Sequence, residues 1–324
     1  MRRWLILIVL FLLPAAVSAA LSTAKQSNLV KPEARSPWRD GYVPNVPVVT
    51  QDGKTFKFYD DLIKGKIAVI NFIFTGCSQL CPLTTSRLAE VQAELGDSAG
   101  RDIFFYSISL DPINDTPAAL KKFSNGFKIG PGWQFLTGNP DDMKLIRDRL
   151  GERSRDMSEH QALVILTNDK TGEWRKDSAM SETAHLVETI RGLSPEWQNT
   201  PQVIAENPAG NGTLAFKNVP GLALFAKGCA SCHTIGKGDK IGPDLAGVST
   251  RRDRDWLKKF ISRPDQMRES GDATATALFE KYNRVMMPYI GLSETDAEDA
   301  LSYIDGETEK VKTAAAATTP SQPK

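Results

Sequence analysis

The sequence predicts two folds in succession, an α/β domain over residues 40–195 and a small all-α domain over residues 217–307. Three observations carry this. Short β-branched and aromatic runs alternate with helix-period segments as far as about residue 195. A stretch rich in Asn, Pro and Gly, 196–216, then reads as a linker. Beyond it the apolar residues recur with helical spacing and no strand run returns. A chain of 324 residues has room for both domains.

The chain opens with two arginines, an apolar run over 4–20 and small residues at Val17, Ser18 and Ala19. This is the layout of a secretory signal peptide, with those small residues at the cleavage positions. At 17 residues the run is also at the short limit for a membrane span, so an uncleaved N-terminal anchor is the alternative. Either places the remainder outside the cytoplasm, in the periplasm, where disulfides persist. No cysteine follows the run directly, which speaks against a lipoprotein anchor. Residues 21–39 are polar and mixed, a tether.

Within the first domain, IAVINFIF (67–74) is a buried strand, and PLTTSRLAEVQAEL a helix with Leu83, Leu88, Val91 and Leu95 on one side. DIFFYSISL (102–110) is a second strand. Thr116 and Pro117 are an N-cap and first helical residue for the next helix. WQFLTG is a short strand, and NPDDMKLIRDRL a helix capped by Asn139 and closed by Gly151. QALVILTN (161–168) is a further strand, NDKTGEW a turn, and SETAHLVETIRGL a closing helix with Ser181 at its cap. Such alternation implies right-handed crossovers. In the second domain PGLALFAKGCASCH, RDRDWLKKFIS, ATALFEKYNRV and ETDAEDALSYI are helical. The tail, 308–324, is low in complexity and expected to be disordered.

Hydrophobic residues make up 41% of the chain and charged ones 24%, enough for ordinary cores. The net charge of +1 gives no electrostatic case for a nucleic-acid partner. Chemistry therefore rests on the motifs, and first on the four cysteines, which come as two distant pairs.

Cys229, Cys232 and His233 form C-x-x-C-H, in which two thiols add to haem vinyl groups and the adjacent histidine binds the iron. A zinc site would need further nitrogen or sulfur ligands nearby. A simple redox C-x-x-C would need neither the histidine nor a helical surrounding. The segment RVMMPYIGLSETDAEDALSYI, with Met287 54 residues after His233, and the loop IGPDLAGV resemble class I cytochromes c over 217–307. That resemblance implies one covalent haem c with Met287, the methionine before the proline, as second axial ligand. Met286 is the competing neighbour, and Met267 is expected to be structural, near the haem edge.

The other pair is Cys77 and Cys81, in NFIFTGCSQLCP. Residues four apart share a helix face, and a thiol in the first turn is favoured as thiolate. Two such groups can grip a soft metal, act as a redox pair or close as a structural disulfide. A loop this short would add little stability by cross-linking. NFIFTGCSQLCP, SISLDPINDTP and EHQALVILTNDKTGEW together resemble the Sco/SenC family over 40–195. The resemblance implies a thioredoxin-like fold, copper bound by Cys77, Cys81 and His160, and a part in copper delivery to the dinuclear CuA site of haem–copper oxidases. Two thiolates and an imidazole suit both Cu(I) and Cu(II). A typical redox thioredoxin has only two residues between its cysteines; three favour metal. Glu159 stands where the family often has an Asp before the histidine. Asp111, of the DP motif, is either a site residue or a loop cap. His185 reads as solvated or packing.

The expectation is an extracytoplasmic copper-binding protein with a fused haem, acting on the copper-site subunit of an oxidase or another respiratory copper protein. Copper and haem each change by one electron, a dithiol by two, so haem pairs more simply with copper. Dithiols also lie at negative potentials, while a His/Met haem is oxidising, so electrons would run from thiols to haem. Two alternatives stay open. One is a thiol–disulfide oxidoreductase using Cys77 and Cys81. The other is an electron carrier whose first domain only docks to the oxidase.

Overall fold

The computed structural model describes residues 41–154, 156–157, 160–198 and 221–318. The signal or anchor segment, the tether, most of the linker, Glu159 and the last six residues lie outside it. Among the described residues no helix is long and apolar enough to cross a membrane.

The first domain is built on one seven-stranded sheet. Its strands are β1 (Pro47–Thr50), β2 (Thr55–Lys57), β3 (Ile67–Ile73), β4 (Ile103–Ser109), β5 (Trp133–Thr137), β6 (Leu163–Asn168) and β7 (Glu173–Ser178). They lie in the order β2-β1-β5-β4-β3-β6-β7. Only β3, β4 and β5 run parallel, and the outer strands pair antiparallel. The parallel core requires helical crossovers, which α1 (Leu80–Leu95) and α2 (Pro117–Ser124) supply. The remaining α-helices described in this part are α3 (Pro140–Leu150), α4 (Thr183–Arg191) and the short α5 (Pro195–Gln198), with a π-helical turn at Phe58–Ile63 and a 3-10 turn at Gly96–Ser98.

Strand β3 is buried on both faces, as a central strand between helical layers must be. Val69 and Ile73 point into a core shared with Leu88, Val91, Leu120, Leu186 and Ile190 of α1, α2 and α4. Ala68, Ile70 and Phe72 alternate to the other face, against Met143, Ile146 and Leu150 of α3.

Several local expectations are met. Thr116 accepts from Ala119 N, with Pro117 at the first helical position. Asn139 accepts from the amides of Asp141 and Asp142, and Gly151 ends α3 in the left-handed conformation. Others need correction. Ser181 does not cap α4. Its hydroxyl donates to Asp177 Oδ1 at 2.7 Å, and the helix starts at Thr183. The turn after β6 leads into a strand, β7, paired along its whole length with β6.

The second domain is helical. It comprises α6 (Leu222–Leu224), continued by a wide π-helical turn (Phe225–Cys229), then α7 (Val248–Arg251), α8 (Arg254–Ser262), α9 (Pro264–Glu269), α10 (Ala273–Lys281) and α11 (Glu294–Thr318). Gly221, at φ +83°, brings the start of α6 against α11 so closely that a Cβ there would lie 2.0 Å from Asp299 O. Phe225 then packs on Tyr303, ring centroids 5.4 Å apart. The tail expected to be disordered from 308 is helical to Thr318. Its Thr-Ala-Ala-Ala-Ala run has strong helix propensity, and Glu307–Lys310 and Glu309–Lys312 pairs support it.

Candidate metal and haem sites

Cys77 sits in the loop that leaves β3, and Cys81 in the first turn of α1. Both are buried, at 5% and 0% exposure. The Cys81 amide donates to Cys77 Sγ at 3.3 Å. The two thiols are electrostatically unequal. The hydrogen bond from the Cys81 side chain, stronger than the opposing effect of burial, lowers the Cys77 pKa to about 6. Burial, with the Cys77 charge beside it, pushes Cys81 well up. One sulfur is thus a ready thiolate and the other its protonated partner.

The loop is held from below by a carboxylate. Asp115 is fully buried. Its Oδ1 accepts from Thr75 N at 2.9 Å and Thr75 Oγ1 at 2.6 Å, and its Oδ2 from Ser109 Oγ at 2.6 Å. Burial raises its pKa against those hydrogen bonds. Asp111 takes the loop-capping role instead, receiving the amides of Asn114 and Asp115 on its carbonyl and Asn114 Nδ2 on its carboxylate. Sequence reasoning stopped at the DP motif, four residues short of the buried acid.

His160 is buried at 7% exposure, and among the described residues neither ring nitrogen has a hydrogen-bond partner. Its ring meets Phe74 edge-on, centroids 6.4 Å apart. Nδ1 lies 3.8 Å from Glu152 Oε2, and both side chains are buried. Burial raises the Glu152 pKa, but His160 and Ser154 outweigh it and hold the acid at about 2. The acid beside the imidazole is therefore Glu152. Phe74 links the ring to the cysteine loop, since its carbonyl receives the Cys77 amide at 3.1 Å. Among the described residues no three His, Cys, Asp or Glu side chains stand close enough together to hold a metal ion. The structure joins the two thiols and leaves His160 as a near neighbour. Its buried Nε2, with no hydrogen-bond partner among the described residues, still fits a role as metal ligand, since a polar atom buried without a partner loses its hydration for nothing in return. His185 is apart, on α4, paired with Asp177 at 3.0 Å and exposed.

In the second domain Cys229, Cys232, His233, Met286 and Met287 all line one cavity of ≈ 620 Å³. His233 Nδ1 lies 2.9 Å from Pro243 O, in the loop IGPDLAGV, which fixes Nδ1 as donor and leaves Nε2 for iron. Burial lowers the His233 pKa, keeping the imidazole neutral as a ligand must be. Gly242 is needed beside it, because a Cβ there would come 2.5 Å from His233 Cε1. After α10 two consecutive left-handed residues, Asn283 and Arg284, turn the chain into the methionine segment. Arg284 is fastened there to Glu280. The donor set and the cavity fit a covalently held haem. Met267 lies on α9 outside the cavity lining.

Comparison with known proteins agrees with this division. The SCO1/SenC family matches residues 44–193, and the cytochrome c family matches residues 219–306. This chain carries a SCO1/SenC domain followed by a cytochrome c domain. Over 89 residues it is 37% identical to the SCO1 protein homolog of Bacillus subtilis, covering 27% of this chain and 45% of that protein. The chain spans about half the length of the curated relatives it matches first. A SCO1/SenC family lipoprotein from Bacillus anthracis is 26% identical over 47% of this chain and 94% of its own, with a TM-score of 0.41. Copper-bound ScoI of Bradyrhizobium japonicum is 23% identical over 47% of this chain and 100% of its own, with a TM-score of 0.39.

The Sco and cytochrome domains meet along α1. The sequence gives this helix one apolar side, yet Thr84, Thr85, Ser86 and Arg87 are buried as well. The cytochrome domain accepts hydrogen bonds from two of these four consecutive residues, Ser86 and Arg87. Ser86 Oγ donates to Ser231 O at 2.8 Å, between the haem cysteines. Arg87 donates to Lys227 O across the boundary and to Ser181 O and Met180 O on its own side. Lys240 pairs with Glu90 at 2.5 Å. Phe127, after α2, packs with Cys232 and Ile241.

Proposed function

We propose that the protein is an extracytoplasmic, copper-binding Sco-like protein that takes part in metallating the CuA-type copper site of a respiratory oxidase. Its fused haem c exchanges one electron with the copper or thiol site. The observation that carries this is the company of the Cys77–Cys81 pair. The Cys81 amide donates to Cys77 Sγ at 3.3 Å, and the buried His160 ring packs edge-on against Phe74, whose carbonyl receives the Cys77 amide. Cys77, Cys81 and His160 hold the copper, which when bound supplies a one-electron centre. Asp115 fixes the loop, and Glu152 orients the imidazole. Cys229 and Cys232 would hold the haem covalently, and His233 and Met287 would bind its iron. The partners are the oxidase copper-site subunit and an electron donor or acceptor protein. The chain acts in the periplasm, soluble or tethered to the membrane by its N-terminal segment.

The test is copper per haem in the full haem-loaded chain, with thiols reduced, copper supplied and free metal removed. We expect about one copper per haem, lost in Cys77→Ser with the haem spectrum unchanged. Full copper retention in that variant overturns the ligand assignment.

One observation favours a second reading, a thiol–disulfide oxidoreductase. A thiol with its pKa lowered to about 6 beside a buried protonated one is also the arrangement of a dithiol nucleophile. His160→Ala separates the two. It leaves reductase activity intact under the second reading and weakens Cu(II) retention under the first.

A further inference from the structure

The loop between the two cysteines reaches the other domain. Tyr289 N donates to Ser78 O at 2.9 Å, joining the residue after Cys77 to the residue two beyond Met287. Ser78 itself lines the cavity that contains His233 and Met287. The Sco domain thus contributes a wall to the haem site, and the residue that does so sits within the copper motif. The surrounding contacts hold this geometry from several directions. Gly126 lies so close to the methionine segment that a Cβ there would be 2.2 Å from Val285 Cγ2. Lys240–Glu90 and Ser86–Ser231 fix the opposite side of the seam.

We propose that this docked arrangement is the electron-transfer state of the protein, and that the path runs from Cys77 through the Ser78 carbonyl and the Tyr289 amide to Pro288 and Met287. The inference rests on the copper reading above and adds to it the route and the contact on which the route depends. A single electron moves: the metal held at Cys77 passes from Cu(I) to Cu(II) as the haem iron passes from Fe(III) to Fe(II), or the reverse, with no bond or proton changing hands. Gly126, Glu90 and Lys240 are positioning residues, since they touch neither centre and act by holding the domains together.

The experiment uses the full chain with haem and one copper bound. The haem is reduced in the Cu(II) protein by a pulse from a photoexcited flavin, and its reoxidation is followed at several protein concentrations. Hydrogen exchange at the Tyr289 amide is measured in parallel. In the wild type we expect concentration-independent reoxidation and a protected Tyr289 amide. Gly126→Trp, a wedge at the seam, should slow the first-order phase on the order of tenfold or more, as loss of preset geometry does, and deprotect Tyr289. Its copper content and haem spectrum should be unchanged. Glu90→Lys should act in the same direction, and Glu90→Lys with Lys240→Glu should restore the rate. Equal rates in wild type and wedge variant, with Tyr289 deprotected in the latter, overturn the route. A wild-type Tyr289 amide as exchangeable as the variant's overturns the docked state. A wild type that takes up no copper overturns the copper reading and this inference together, whereas copper uptake with unchanged rates removes this inference alone.

Discussion

Asp115 offers the sharpest test of how the cysteine loop is built. Asp115→Ala removes the acceptor for three donors: Thr75 N, Thr75 Oγ1 and Ser109 Oγ. The Thr75 amide then has no partner, at about 1–3 kcal/mol for a buried orphan. The two hydroxyls can rotate to other acceptors and lose about 0.5–1.5 kcal/mol each. Relief from burying a carboxylate offsets part of this, so the net loss is about 2–4 kcal/mol. For a domain of this size that corresponds to a fall of about 4–16 °C in melting temperature. Asp115→Asn keeps one acceptor oxygen for Thr75 and should lose less than half as much. The assay is thermal unfolding of the haem-loaded chain, with far-UV dichroism reporting both domains and haem absorbance reporting the cytochrome domain alone. Alkylation of Cys77 provides the local readout, and should quicken as the loop loosens. The burial-raised pKa adds a sign. The wild type carries a cost above that pKa and loses it as pH falls toward the ordinary carboxylate value, so the wild type should gain on Asp115→Asn in acid. An Asp115→Ala protein with unchanged melting and unchanged Cys77 reactivity would refute this account of the loop.

Two further outcomes concern the cytochrome domain. Gly221→Ala forces a Cβ to within 2.0 Å of Asp299 O at a left-handed position, so α6 must part from α11. The expected loss is about 2 kcal/mol or more, read as an earlier change in haem absorbance on heating with the Sco domain's melting unaltered. Met287→Ala should abolish the methionine–iron charge-transfer band of the oxidised haem, and Met286→Ala should retain it. The opposite result would move the axial ligand by one residue.

Much of the fold was legible because its signals are local. The apolar run of β3, the Thr116–Pro117 and Asn139 caps and the left-handed Gly151 depend only on neighbouring residues. The C-x-x-C-H motif is equally self-contained. β1 and β2 were not read because four- and three-residue strands have too few alternations to register. β7, with the sequence EWRKDS, lies at the sheet edge with a polar, half-exposed pattern that resembles a loop. The Thr84–Arg87 stretch misled for a different reason. A serine and an arginine on a helix normally mark water, and here carbonyls of a second domain, 140 and 145 residues further along, accept their hydrogen bonds. Asp115 and Glu152 escaped because a buried acid has no sequence signature apart from the groups that surround it.

The chemistry of those contacts has a consequence for how the two halves part. A seam lined by Ser86, Arg87, Glu90 and Lys240 gives up hydrogen bonds and charge pairs that water can replace. Polar interfaces of this kind between domains are compatible with relative motion. Phe127, Ile241 and Val285 form an apolar spot within it. Separation would therefore leave two wettable surfaces, with little to drive clumping. Contacts that water can lend and take back suit a joint able to open and shut again.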